Sequence, residues 1–365
     1  MKITEIISVL ENLAPSLYQE NYDNAGLLTG NSMWECSGAL ITLDATESVI
    51  EEAIAKKCNL VVAHHPVIFA GIKKINGKNY IERSIIAAIK NDIAIYAIHT
   101  NLDNLLSGVN GKIADKLGLI NRNWLSPLSS TLRKLFTFVP FDYAEKVRKA
   151  IFDAGAGHIG NYSEASFNVE GTGTFKAEHG ANPFSGKIGE RQFEKEIKIE
   201  AIFPRHLQDF VVRAMIKAHP YEEVAYDVVG LENTNSNWGS GLVGELPEAY
   251  SEKLFLGRLV EVFGVPVIRH TKLNNRPVKK VALCGGAGSF LIPNALAAGA
   301  DFFVTADIKY HQFFDADNCL VIADIGHYES EQFTVELLYA ILREKFPTFA
   351  VLKSDTRTNP VNYYF

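Results

Sequence analysis

The four cysteines of this 365-residue chain, Cys36, Cys58, Cys284 and Cys319, form no CxxC pair. Each sits in or near an apolar stretch, so they read as small buried hydrophobes in a reducing compartment. No apolar run approaches the roughly 18 residues of a membrane span. The opening MKITEIISVLENLAP has the pattern of an amphipathic helix with acidic residues, not of a signal peptide. These absences make the cytoplasm the expected location. An excess of basic charge is also missing. The formal net charge is -6 and the pI about 6.0, which gives no electrostatic argument for nucleic acid or an anionic membrane. There is no GxSxG nucleophile elbow, no short-period repeat and no low-complexity tract. What remains is a composition of 47% hydrophobic residues with mean hydropathy near zero, suited to a globular protein of two or three domains.

Along the outer thirds of the chain, short continuous apolar runs alternate with helical patterns. Strands are expected at GALITLDAT (38–46), NLVVAHHP (59–66) and IAIYAIHTNLD (93–103), with helices at 1–12, 47–57, 80–91 and 109–119. Thr4 is a candidate N-cap for the first of them. The last third repeats the style in KKVALCGGAGS, FLIPNALAAGA, DFFVTADIKYH, CLVIADIGHYESEQFTVELLYAILREKF and FAVLKSD. Continuous apolar strands separated by helices predict an α/β domain with a largely parallel sheet covered on both faces. From about Leu135 the order changes. Strand KLFTFVP, a helix at 142–154 capped by Asp142 and Glu145, strands YSEASFNVE, GTGTFKA and KEIKIEAIFP, a helix at 207–218 and strand EEVAYDVVGL predict an inserted α+β, ferredoxin-like module. LENTNSNWGSG (231–241) reads as its exit linker. The expected division is 1–128 with 242–365 for the α/β domain, and 129–241 for the insertion.

Ligands collect at the carboxyl ends of parallel strands. Polar groups recur there: Asp44, then His64 and His65, then His99 and Asp103, then Asp307 and His311, then Asp324, His327 and Glu331. His327 and Glu331 are four residues apart and share a helix face. Side chains alternate along a strand, and Pro66 ends the ladder after His65. The two imidazoles therefore diverge, to two ions or to two sides of one site. Imidazole mixed with carboxylate suits Zn, Fe, Mn, Co or Ni rather than Ca or Mg. Three histidines and two carboxylates exceed a three-ligand zinc site and match two metals about 3.5–4 Å apart with one bridging carboxylate. Water held between them would be the nucleophile, which makes hydrolysis the default chemistry. His99, Asp44 and His311 are candidates for orienting partners behind the ligands. CGGAGS (284–289) is a glycine turn that lacks both GxGxxG and the Walker lysine, and it reads as a tight turn before an anion cradle. His158 and His219, in the middle segment, read as structural or interface residues.

HHP (64–66), HTNLD (99–103), GGAGS (285–289), TADIKYH (305–311) and DIGHYESE (324–331), together with YDNAGLLTG (22–30), resemble the Nif-three-like proteins, often labelled GTP cyclohydrolase 1 type 2 homologues. Tyr22 stands where many members carry Trp. The resemblance spans essentially the whole chain, and the middle resembles the PII/CutA-like insertion of the longer bacterial members. It implies a dinuclear site held by His64, His65, Asp103, His327 and Glu331, with Glu331 bridging, and a ring-shaped homohexamer. The label implies a small-molecule ligand, a nucleotide among the options, opened by attack of water. The other function open at this point is a non-catalytic metal- or ligand-binding regulator with the insertion as sensor or gate.

Overall fold

A strand whose every residue is apolar has no face to offer water, and such runs form the inner strands of two sheets in the computed structural model, which describes residues 1–364. The chain divides into two units: Met1–Pro127 together with the chain from Ser236 onward, and Leu128–Asn235.

In the first unit, β2 (Ala39–Asp44), β3 (Leu60–His65) and β4 (Ala94–Ala97) run parallel. β1 (Gly26–Thr29) closes one edge antiparallel to β4, and β15 (Val351–Lys353) extends the other parallel to β2. The crossover helices α2 (Glu47–Ala55) and α3 (Tyr80–Lys90) set Val49, Ile50, Ala53, Ile85 and Ala88 against Leu40, Val61 and Ile95. α1 (Ile3–Leu13) buries Ile3, Ile6, Ile7 and Leu10. The two short pieces α4 (Thr100–Asp103) and α5 (Val109–Leu117) follow β4.

The second sheet has the order β11-β14-β13-β12-β10-β5. Its centre is parallel: β12 (Pro277–Ala287), β13 (Phe302–Ala306) and β14 (Val321–Asp324). β5 (Ile120–Pro127), β10 (Gly239–Ser251) and β11 (Arg269–His270) add to it antiparallel. α8 (Glu252–Phe263) and α9 (Ile292–Ala297) flank it, then α10 (His327–Glu331) and α11 (Thr334–Lys345) follow β14. α11 packs along β2 and β15.

The expectation of one largely parallel sheet is thus corrected to two mixed sheets. β5 and the distal half of β10 expose much of their length. Antiparallel edge strands tolerate polar residues, so INRNWLSP carries no continuous apolar run to betray it. The expected exit linker ends inside β10. The first helix begins at Ile3 rather than with Thr4 as its cap: Lys2 occupies the cap position, and its N–H donates to Glu5 Oε1 at 2.9 Å. The long C-terminal helix is split between α10 and α11. Cys36, Cys58 and Cys284 are buried, but Cys319 is exposed. Among the described residues no helix is long and apolar enough to cross a membrane.

The second unit runs β6 (Leu132–Pro140), α6 (Ala144–Asp153), β7 (Ser166–Lys176), β8 (Arg191–Pro204), α7 (Gln208–Ala218) and β9 (Tyr226–Leu231). Its antiparallel sheet has the order β7-β8-β6-β9, a split β-α-β-β-α-β arrangement. Leu135, Val139, Val147, Ile151, Ile199, Phe203, Val211 and Met215 form its core. The two strands expected at YSEASFNVE and GTGTFKA are the single strand β7, because Gly171 and Gly173 stay extended opposite Glu196 and Glu194. Asp142 does not cap α6. It lies in a 3-10 turn, and Glu145 pairs with Arg148 instead.

Glu52 on α2 fastens the C-terminal segment of the first unit. It accepts from Ser354 Oγ (2.6 Å), Asp355 N (2.8 Å), Thr356 Oγ1 (2.6 Å) and Lys56 Nζ (2.6 Å). Burial alone would raise its pKa, but Lys56 and these donors outweigh burial and lower it from 4.5 to about 2. A depressed carboxylate stabilises above its unfolded pKa, and that stability drains away as pH falls through the folded value. Glu52→Gln should therefore lower urea stability by about 1–3 kcal/mol at pH 7. It should also flatten the stability-versus-pH curve between pH 4.5 and about 2.

Candidate metal centre

β3 ends in two imidazoles. His64 is fully buried and His65 partly so, with ring centroids 4.9 Å apart. Asp103 closes α4, one short turn beyond β4. His327 opens α10 and Glu331 ends it, so one helical turn brings His327 Nε2 within 3.1 Å of Glu331 Oε2. The same oxygen lies 2.9 Å from His65 Nε2 and 3.8 Å from His64 Nε2. His64 Nε2 is 3.6 Å from Asp103 Oδ1. The five residues thus converge as two sets, His65 with His327 and Glu331, and His64 with Asp103 and Glu331. Glu331 belongs to both. His99 also comes within reach of His64 and His65.

Every imidazole is held from behind through Nδ1. His64 Nδ1 meets the Ile98 carbonyl at 2.8 Å, His65 meets Asp44 at 2.8 Å, His327 meets Asp307 at 2.7 Å and His99 meets Asp23 at 2.8 Å. Such partners put the proton on Nδ1 and leave the Nε2 lone pair for the cluster. Asp44 in turn accepts from Thr358. Asp23 accepts from Thr100 through both its backbone N–H and its hydroxyl.

The glycine turn at the end of β12 makes room for Glu331. A Cβ on Gly286 would run into the Glu331 carboxylate, and one on Gly285 would crowd Ile113 and Val109 of α5. The turn is not open to an anion. Gly285 N–H donates to Asn110 Oδ1, Gly286 N–H to Ser330 Oγ and Gly288 N–H to Thr305 Oγ1.

The electrostatics follow from crowding. Burial lowers the pKa of His64. Burial would lower His65 as well, but Asp44 and Glu331 raise it to about 9. His327 is raised to about 11 against burial by Glu331 and Asp307. Burial, and then the neighbouring Glu331 charge, push Asp103 well up. Glu331 is held well below the usual carboxylate range by the three imidazoles, against its burial. Two atoms stay unsatisfied: His64 Nε2 and Asp103 Oδ1 are buried without a hydrogen-bond partner. The two atoms lie 3.6 Å apart without a hydrogen bond, and leaving both buried and unpartnered is costly unless a cation joins them. The donor set therefore fits divalent metal.

His311, expected among the orienting groups, lies outside the cluster. It is exposed and stands edge-on to Tyr310 near Phe314, because the 3-10 turn after β13 carries it away; Asp307 holds His327 instead. In the second unit, His219 is tied to the Phe138 carbonyl and the Tyr221 N–H, and His158 is exposed. Asp23 was not picked out from the sequence. It lies 76 residues before His99, and no spacing links the two.

The cluster floors a cavity of about 670 Å³ lined by first-unit residues alone. Residues 1–360 match the Duf34/NIF3 (NGG1p interacting factor 3) family. The chain belongs to that family. It is 39% identical over 367 residues to the GTP cyclohydrolase 1 type 2 homolog of Bacillus subtilis (strain 168), covering 98% of each chain. It is 41% identical over 363 residues to the protein of that name from Halalkalibacterium halodurans, again covering 98% of each. The crystal structure of a Bacillus cereus protein related to NIF3 superposes with a TM-score of 0.87 at 39% identity, covering 100% of this chain and 99% of that one. The family read from the motifs is therefore shown, along with its mixed α/β fold.

Gly286 adopts φ +61°, so a side chain there meets backbone strain as well as Glu331. Gly286→Ala should cost about 1–2 kcal/mol in urea unfolding from the backbone alone. Gly257→Ala, in the middle of α8 where a Cβ meets nothing within 4 Å, should instead raise stability by about 0.5–1 kcal/mol.

Proposed function

We propose that this Duf34/NIF3 protein holds two divalent cations, one among His65, His327 and Glu331 and the other among His64, Asp103 and Glu331. Glu331, common to both sets, would contribute its carboxylate to each. The cations serve hydrolysis of a small molecule, a nucleotide or a relative of one. The observation that carries the reading is a single buried carboxylate shared by two ligand sets, beside two buried donor atoms that lack any other partner. Imidazole and carboxylate donors favour Zn, Fe, Mn, Co or Ni. Divalent cations would supply the Lewis acidity that makes water nucleophilic near neutral pH.

The chain's own residues do the rest. Asp44, Asp307 and the Ile98 carbonyl fix the imidazole tautomers and aim each Nε2 inward. His99, whose Nδ1 is engaged by Asp23, keeps Nε2 as the atom able to accept a proton beside the cluster. The name shared by the curated relatives is compatible with attack of water on a ring carbon. A second reading, ligand sensing by the insertion, draws on the cavity of about 670 Å³ in the second unit, where Phe175, Phe184 and Tyr221 lie together. A PII/CutA-like insertion and a ring-shaped homohexamer belong to the proposal under either reading.

Plasma mass spectrometry on protein purified without added metal should find about two ions per chain. His64→Ala and Asp103→Ala should each lose mainly one of them, as should His65→Ala and His327→Ala, whereas Glu331→Ala should lose both. Anomalous scattering from one ion shared by His64 and His65 would overturn the assignment. Turnover of a small-molecule panel should fall about 100-fold or more in Asp103→Ala; fully loaded protein that turns over nothing leaves the sensing role.

A further inference from the structure

We propose that the cavity above the cluster takes a planar ring without a polyphosphate tail, a heterocyclic base or nucleoside rather than a nucleoside triphosphate. This narrows the substrate class of the preceding proposal and rests on the cluster holding cations.

Charge is the first argument. Besides Asp103 and Glu331, the carboxylates of Glu20, Asp44, Asp307, Asp324 and Glu329 line the cavity. Against these seven stands one guanidinium among the described lining residues, Arg269, and there is no lysine. Arg269 is already engaged: its Nη2 donates to Asp324 and, at 3.2 Å, to the Ile308 carbonyl. Even with two divalent cations in place, carboxylates outnumber cationic charges in the lining. One phosphate can be held by metal, but the charges that follow it along a triphosphate would face carboxylates and find no free side-chain cation among the described lining residues. Like charges forced together in a partly desolvated site cost several kcal/mol.

Several backbone donors near the strand ends are already spent. Phosphate cradles are built from N–H groups left free to point at the ligand. Here the glycine turn spends its N–H groups on Asn110, Ser330 and Thr305. Ile308 N–H and Gly326 N–H donate to Asp324, and Thr100 N–H donates to Asp23.

The walls, by contrast, suit a ring. Tyr22, Phe69, Tyr80 and Phe290 line the cavity while keeping half or more of their surface exposed. Phe69 stands edge-on to His99 with ring centroids 5.6 Å apart. Aromatic walls in an acidic setting favour a neutral or cationic ring. The volume of about 670 Å³ lies within the usual range for small-molecule sites.

The test is isothermal titration of the full-length, metal-loaded protein with guanine, guanosine, adenine and adenosine, set against MgGTP and MgATP. Metal content is measured before and after each run. A base or nucleoside should bind, and its triphosphate should bind at least about ten-fold more weakly. The triphosphate should also gain affinity as salt screens the carboxylates. Phe69→Ala should weaken the ring ligand by about ten-fold with metal content unchanged. Loaded protein that binds the triphosphate as well as or better than the nucleoside overturns the proposal. So does loaded protein that binds none of the four phosphate-free probes, or an unaltered affinity in Phe69→Ala. These results leave the metal assignment standing, whereas a chain that carries no metal brings down both.

Discussion

One buried carboxylate governs the local architecture. Glu331 is almost fully enclosed, and an ionised carboxyl in that position is tolerable only with cationic or donor partners on every side. Three imidazoles supply them, from the end of β3 and the start of α10. The requirement reaches outward. Glycines at the end of β12 leave room for the side chain, and Ser330 secures that turn through the Gly286 N–H. α10 stops after Glu331, and the chain re-enters a helix only at Thr334. A continuous helix, which the apolar periodicity of FTVELLYAIL suggests, is interrupted where the chain has to place His327 and Glu331.

The outer layer is equally constrained. Each imidazole works only if its far nitrogen is occupied, and four different groups do that: a main-chain carbonyl, Asp44, Asp307 and Asp23. Two of them are themselves braced, Asp44 by Thr358 and Asp23 by Thr100. The C-terminal segment is therefore structural support for the cluster as well as wall. Asn359 donates to Glu329, and Pro360, Val361 and Tyr363 complete the cavity lining. Two of the orienting carboxylates, Asp44 and Asp307, also line the cavity and add to its acidity.

Much of this was legible in the sequence because strand ends announce themselves. An apolar run followed at once by His64-His65, by HTNLD or by DIGHYESE marks polar groups at the mouth of a parallel sheet, and helical spacing alone pairs His327 with Glu331. What could not be read was pairing across the chain. Asp23 and His99 show no common pattern, and neither do Glu52 and the 354–356 segment. His311 was drawn in by sequence proximity to Asp307, but a 3-10 turn redirects it. The division into two sheets was hidden for a related reason. Polar edge strands such as β5 lack the continuous hydrophobic signature of β2, β3 and β13, so their existence is decided by tertiary pairing with β10 and not by local pattern.

His65 and Glu331 are separated by 266 residues, with the whole of Leu128–Asn235 between them. A ribosome moving at about 5–20 residues per second finishes the histidine strand tens of seconds before it reaches Glu331. During that interval β2 lacks its β15 neighbour, while the intervening unit already has every strand and helix of its own core. Order of synthesis therefore sets order of assembly. The insertion is complete while the histidines still wait for Glu331, and β15, which follows Glu331, extends the sheet beside β2. Until Glu331 has emerged, His64 and His65 face only part of the set of side chains that surrounds them in the fold.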